Sequence, residues 1–141
     1  MTQAGLPAEF VVPGVPISVQ ARAGSRQKWR TLVASKAKAA WPSGVSPVAQ
    51  QVAVTIVYFF PGETTLDVDN IVKPILDSMK GIIYVDDTLV SQVIVRKTRL
   101  SSELRLVNPP PVVLSARGEV AEGGFVYVRV GDAPKHEEVP A

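Results

Sequence analysis

Five of the chain's 13 acidic residues fall between positions 67 and 87: Asp67, Asp69, Asp77, Asp86 and Asp87. Like carboxylates repel, and two at about 4 Å in a medium of effective dielectric near 20 cost about 4 kcal/mol. A fold that gathers them is expected to hold a cation between them, and hard oxygen ligands select Mg2+ or Mn2+. Asn70, Lys73 and Lys80 share the stretch. A carboxylate-held cation polarises a phosphoryl oxygen, acidifies a water and stabilises a leaving alkoxide. A lysine beside it offsets the extra charge of a pentacovalent transition state. Asp67, Asp69, Lys73 and Asp87 supply those parts, which points to metal-assisted hydrolysis of a phosphodiester.

Other uses of clustered aspartates fit less well. Counted from Asp67, a calcium loop needs an oxygen ligand, a glycine and a glutamate where the chain has Ile71, Val72 and Ser78. Phosphatases that form an aspartyl-phosphate place Asp-x-Asp directly after a strand, whereas Pro61 to Leu66 intervene here. There is no P-loop and no Gly-x-Ser-x-Gly elbow. The chain has no cysteine and a single histidine, His136. Disulfides and thiolate chemistry are therefore excluded, and an imidazole base is disfavoured.

A length of 141 residues with 46% hydrophobic and 20% charged residues predicts one soluble domain, residues 1–131, with 132–141 as a disordered tail. No secretion signal and no apolar run of membrane-spanning length is visible, so a cytoplasmic protein is expected. Net charge is only +2, yet Arg22, Arg26, Lys28, Arg30, Lys36 and Lys38 follow one another without an acidic residue. A basic surface beside an acidic cluster suggests a polyanion held against a metal, and these six are the candidate phosphate contacts.

The elements that must position these groups follow from periodicity. Strands are predicted at 9–12, 48–60, 89–98, 103–107 and 125–130, with 15–20 as a possible edge piece. Ser25 to Trp41 reads as a helix with Trp29, Leu32, Val33, Ala37 and Ala40 on its core face. Trp29 and Trp41 are also candidates to stack on bases. Asp69 to Lys80 reads as a second helix, with a short third over 111–120. With Asp69 at 0°, Lys73 falls at about 40°, Asp77 at about 80° and Lys80 at about 20°, one polar stripe opposite a core stripe. Pro74 is comfortable only in a first turn, so regular helix is expected to begin late, between Asn70 and Lys73. The fold class is α/β (α+β): a mixed sheet packed with two main helices, partly antiparallel after Thr98.

The run Asp67-x-Asp69-Asn70-x-x-Lys73-x-x-x-Asp77, then Gly81 and Asp86-Asp87-x-x-Val90, resembles the RusA family of Holliday junction resolvases. The opening Val-Pro-Gly-Val-Pro-Ile-Ser segment and the basic helix add to the likeness. The resemblance implies a homodimeric, Mg2+-dependent endonuclease that nicks four-way DNA junctions in recombination and repair. Carried onto matching positions, it makes Asp67, Asp69 and Asp87 the metal-binding carboxylates and Lys73 the essential lysine. It selects Asp87 over Asp86, which is left as a turn residue. Where some relatives carry a basic run, this chain has Gly62-Glu63-Thr64-Thr65-Leu66, and Asn108 to Val130 is longer than in compact members.

Several roles stay open on sequence alone. Asp67 or Asp69 could cap the helix, Asp77 could touch the metal or orient Lys73, and Asn70 could bind a carboxylate, a phosphate or the helix end. Two matched nicks require two carboxylate clusters, an independent reason to expect a dimer. The alternatives are a junction-binding protein with a structural cation and a metal-dependent nuclease for flap or duplex DNA.

Overall fold

The structure, a computed structural model, describes residues 4–18, 21–101, 104–119 and 123–134. Its elements run β1 (Ala8–Pro13), α1 (Ala23–Ala40), β2 (Val52–Pro61), α2 (Val68–Met79), a single 3-10 turn (Asp87–Leu89), β3 (Val90–Leu100), α3 (Pro111–Glu119) and β4 (Phe125–Asp132). The four strands form one sheet in the order β1-β4-β2-β3.

Both faces of β2 are apolar, and both faces are covered. Val52, Val54, Ile56 and Tyr58 point into the larger core with Trp29, Val33, Ile71, Ile75 and Met79 of α1 and α2. Val57 and Phe59 point to the opposite face, where Phe125, Tyr127 and Val113 of α3 complete a second, smaller core. The sheet thus has α1 and α2 on one side and α3 on the other. Full burial of Ile71, Ile75 and Met79 contributes about 1.5–3 kcal/mol each. Those residues recur every four positions, which orients α2 with Asp69, Lys73 and Lys80 exposed on its far side.

The topology around α2 decides where the chemistry goes. β2 and β3 are parallel, with Val52 opposite Val90 and Pro61 opposite Leu100. A parallel pair needs a crossover, and α2 provides it by running back along the sheet. β4 returns antiparallel to both β1 and β2 and fills the place between them. Gly124 permits this insertion: its φ is +85°, and a Cβ there would lie 2.0 Å from the Phe59 carbonyl oxygen. β3 is left as an edge, with Val93 37% and Ile94 47% exposed.

Several local expectations are revised. α2 begins at Val68, and Pro74 lies buried well inside it. The proline supplies no N–H to the Asn70 carbonyl, a local cost of about 3 kcal/mol in a helix interior, yet its burial in the core holds the helix continuous through it. Ser78 Oγ donates to the Pro74 carbonyl at 2.6 Å. Residues 104–107 form no strand; Leu104 and Leu106 lie against the second core without a ladder partner, so their alternation reflects burial alone, and Glu103 lies outside the described residues. The chain after β3 makes no hairpin: it crosses through α3, a third helix, before returning as β4. β2 starts at Val52, while Val48 forms an isolated bridge to Tyr84. Residues 15–18 add no strand, and 19–20 lie outside the described residues. β4 extends to Asp132, the first residue of the expected tail, and 135–141, with His136, lie outside the described residues.

Candidate active site

Asp67 and Asp69 stand together at the start of α2. Asp67 is the N-cap residue in extended conformation (φ −83°, ψ 141°), and its side chain makes no capping hydrogen bond. Asp69 lies in the first turn. Both are exposed, and among the described residues neither carboxylate has a hydrogen-bond or ion-pair partner. The capping alternative for Asp67 is therefore not what its oxygens do. The positive end of the helix dipole favours negative charge at this point. Two hard, uncommitted oxygen donors in sequence fit a divalent cation such as Mg2+.

Two side chains to which the sequence assigns no role support this end. Lys97 Nζ donates to the Leu66 carbonyl at 2.6 Å, and Arg99 Nη2 meets Glu63 Oε1 at 2.7 Å. The only signal for them in the sequence is a pair of cations two residues apart at a strand end.

Lys73 and Asp77 follow on the same stripe. Lys73 Nζ is 3.4 Å from Asp77 Oδ1, and Arg30 of α1 is 3.3 Å from Asp77 Oδ2. Asp77 thus pairs with Lys73 and ties α1 to α2. The Lys73 side chain is 65% exposed, so the pair is worth only a few tenths of a kcal/mol, about 0.3–0.5 for helical i,i+4 contacts. Asn70 donates its backbone N–H to the Asp67 carbonyl at 3.1 Å and is half-buried.

Asp86 and Asp87 lie at the other end of α2. Val48 N–H donates to the Ile83 carbonyl at 2.8 Å and Val85 N–H to the Val48 carbonyl at 3.0 Å, pinning the turn beside the start of β2. Tyr84, fully buried, donates its hydroxyl to the Leu76 carbonyl at 2.6 Å and so closes the helix end. Burial, with Asp87 and Asp77 nearby, pushes that phenol well above its usual range. Asp86 is fully engaged: Thr88 Oγ1 donates to it at 2.7 Å and Lys80 Nζ pairs with it at 3.1 Å. Those two contacts lower its carboxyl to about 2. Asp87, half-buried in the 3-10 turn, has no such partner among the described residues and keeps its oxygens available.

One chain does not bring the predicted ligands together. The rise along α2 from Asp69 to Lys80 is about 16 Å, and Lys80 is held by Asp86. Oxygens sharing one Mg2+ lie about 2.1 Å from it, hence about 4 Å or less apart. Among the described residues no group of three or more His, Cys, Asp or Glu side chains could hold a metal ion. The expected convergence of Asp67, Asp69 and Asp87 within one chain is thus absent. Its cause is the parallel crossover, which sends the residue before β3 to the opposite end from the residue before α2.

The six basic residues also fail to form one face. At about 100° per residue, Arg26 and Arg30 lie within about 40° of each other, whereas Lys38, Lys28 and Lys36 fall near 120°, 200° and 280°. Arg22 precedes the helix as its N-cap residue. Lys36 lines a cavity of about 510 Å3 with Glu9 and Phe125. Trp29 and Trp41 are both buried, and Trp41 Nε1 donates to the Val45 carbonyl at 2.9 Å, so neither offers a free ring to a base.

No helix among the described residues is long and apolar enough to cross a membrane. No curated protein matches the chain. The model of the family described as Endodeoxyribonuclease RusA matches residues 21–106, a span that runs from α1 through β3 and contains both groups of aspartates. With more than half its length matched across the elements that carry Asp67, Asp69, Lys73 and Asp87, the chain belongs to the RusA endodeoxyribonuclease family.

Proposed function

We propose that this protein is a metal-dependent endonuclease that nicks four-way DNA junctions as a two-fold homodimer, and that it serves DNA recombination and repair. Each site combines Asp67 and Asp69 of one copy with Asp87 of the partner subunit. The observation that carries this reading is the placement of carboxylates without partners among the described residues, Asp67 and Asp69 near one end of edge strand β3 and Asp87 near the other.

β3 has 11 residues. If two copies pair their β3 edges antiparallel about a two-fold axis near Val95, Val90 of one lies opposite Leu100 of the other. Neighbouring strands are about 4.8 Å apart. The partner's Asp87, three residues before its β3, then approaches the end where Lys97 and Arg99 hold the segment leading to Asp67. The same pairing covers Val93 and Ile94, whose exposure on a long edge is otherwise an aggregation liability. An isologous contact generates two sites, which two matched nicks require.

When bound, Mg2+ or Mn2+ supplies Lewis-acid polarisation of the phosphate and a more acidic water. The chain's own contributions are distinct. Asp67 and Asp69 present oxygens at the positive end of α2. Lys73, aimed by Asp77, brings positive charge to the phosphoryl oxygens. Arg22, Lys28 and Lys38, the exposed members of the six basic residues, contact phosphates around the junction arms, so binding weakens with salt.

The test uses a synthetic four-way junction and a linear duplex of the same sequence with millimolar Mg2+. Paired nicks in the junction, little cutting of the duplex, and loss of nicking with retained binding in Asp69→Asn support the reading. Equal rates on both substrates would make this a duplex nuclease, and binding without nicks would make it a junction-binding protein.

A further inference from the structure

We infer that Lys97 and Arg99 of β3 are positioning residues that hold the Asp67–Asp69 segment in its ligand-presenting conformation. The inference rests on the proposed role of those two carboxylates.

Between the end of β2 at Pro61 and the start of α2 at Val68, the chain is irregular and mostly exposed. Its own internal restraint is slight: the Leu66 N–H donates to Thr64 Oγ1 at 3.2 Å. Left to itself, such a segment would scatter the Asp67 carboxylate, whereas a ligand set must be held within about 0.5 Å to select an ion. β3 supplies the missing restraint. Val95 packs against the α2-side core. Side chains two apart on a strand share a face, so Lys97 and Arg99 rise on the α2 side next to it.

The two cations grip the loop at separate points. Arg99 meets Glu63 at 2.7 Å near the loop's start, an exposed pair that adds only a weak restraint. Lys97 holds the Leu66 carbonyl at 2.6 Å at its end. That carbonyl belongs to the Leu66–Asp67 peptide, which is planar, so the bond fixes the plane from which the Asp67 backbone departs. The strand behind them is hydrogen-bonded to β2 along its length and gives both grips a rigid base.

Lys97→Met removes the donor while keeping the aliphatic stem, and Lys97→Arg restores a cationic donor. Both positions are exposed, so the fold survives, as a melting curve confirms. The first readout needs no activity: amide hydrogen exchange of the 62–70 segment in metal-free protein. Lys97→Met is expected to speed it about tenfold, the worth of one charge-assisted hydrogen bond, with Lys97→Arg near wild type. The second readout is the Mg2+ concentration for half-maximal junction cutting, expected to rise about tenfold while junction affinity changes little. Unchanged exchange in Lys97→Met overturns the inference, as does a loss of junction affinity with an unaltered Mg2+ dependence. A wild type that cuts no DNA would end the nuclease reading yet leave the exchange result to decide the positioning role.

Discussion

Two inactive variants should rescue each other if the site is shared between copies. Asp69→Asn removes a ligand at the start of α2, and Asp87→Asn removes one at the start of β3. In one chain these positions are separated by roughly the length of α2, about 16 Å, against the 4 Å or less that one coordination sphere spans. Each variant alone as a homodimer therefore has two damaged sites and should not nick. Mixed in equal amounts and allowed to exchange subunits, about half of the dimers are mixed. In a mixed dimer one site carries both substitutions. The other combines Asp67 and Asp69 of the Asp87→Asn chain with Asp87 of the Asp69→Asn chain, and is intact. About one quarter of wild-type sites should return, read as single nicks in a supercoiled cruciform plasmid with few linear products. If each chain held all its own ligands, every site in the mixture would remain damaged. No nicking after verified exchange would refute the shared-site geometry.

Three further outcomes follow from the same structure. Ile94→Asp, at an exposed edge position, should yield a folded monomer by analytical ultracentrifugation with stability within about 0.5 kcal/mol of wild type, and nicking should fall with the dimer. Tyr84→Phe leaves the Leu76 carbonyl without its 2.6 Å donor and should cost about 1–3 kcal/mol in urea unfolding. The Asp86 carboxyl is lowered to about 2 by Thr88 and Lys80, below its unfolded value. Its contribution is thus present above about pH 4 and lost as pH falls through about 2. Asp86→Asn should flatten the decline of the urea midpoint over that window relative to wild type.

Much of the site was legible because it depends on local spacing. The polar stripe of Asp69, Lys73, Asp77 and Lys80 follows from 3.6-residue periodicity, and the core behind α2 is the same periodicity seen from the other side. Asp67 preceding the helix in extended backbone also follows from neighbours within a few positions, whereas the choice of Asp87 over Asp86 came only with the family resemblance. The central place of β2 follows from two apolar faces, since only a strand covered on both sides can use them.

What the tertiary structure alone decided is how distant segments meet. Sequence pattern cannot say that β4 inserts between β1 and β2 or that β3 lies at the edge, because strand order is set by long-range pairing. It read Leu104 and Leu106 as strand residues since burial and pairing impose the same alternation, and it moved the start of α2 to accommodate Pro74, whose local penalty is outweighed by packing in the core. Above all, the parallel pairing of β2 and β3 makes α2 a return crossover. The carboxylates at its start and those beyond its end must then lie a helix length apart, however near they are in the chain.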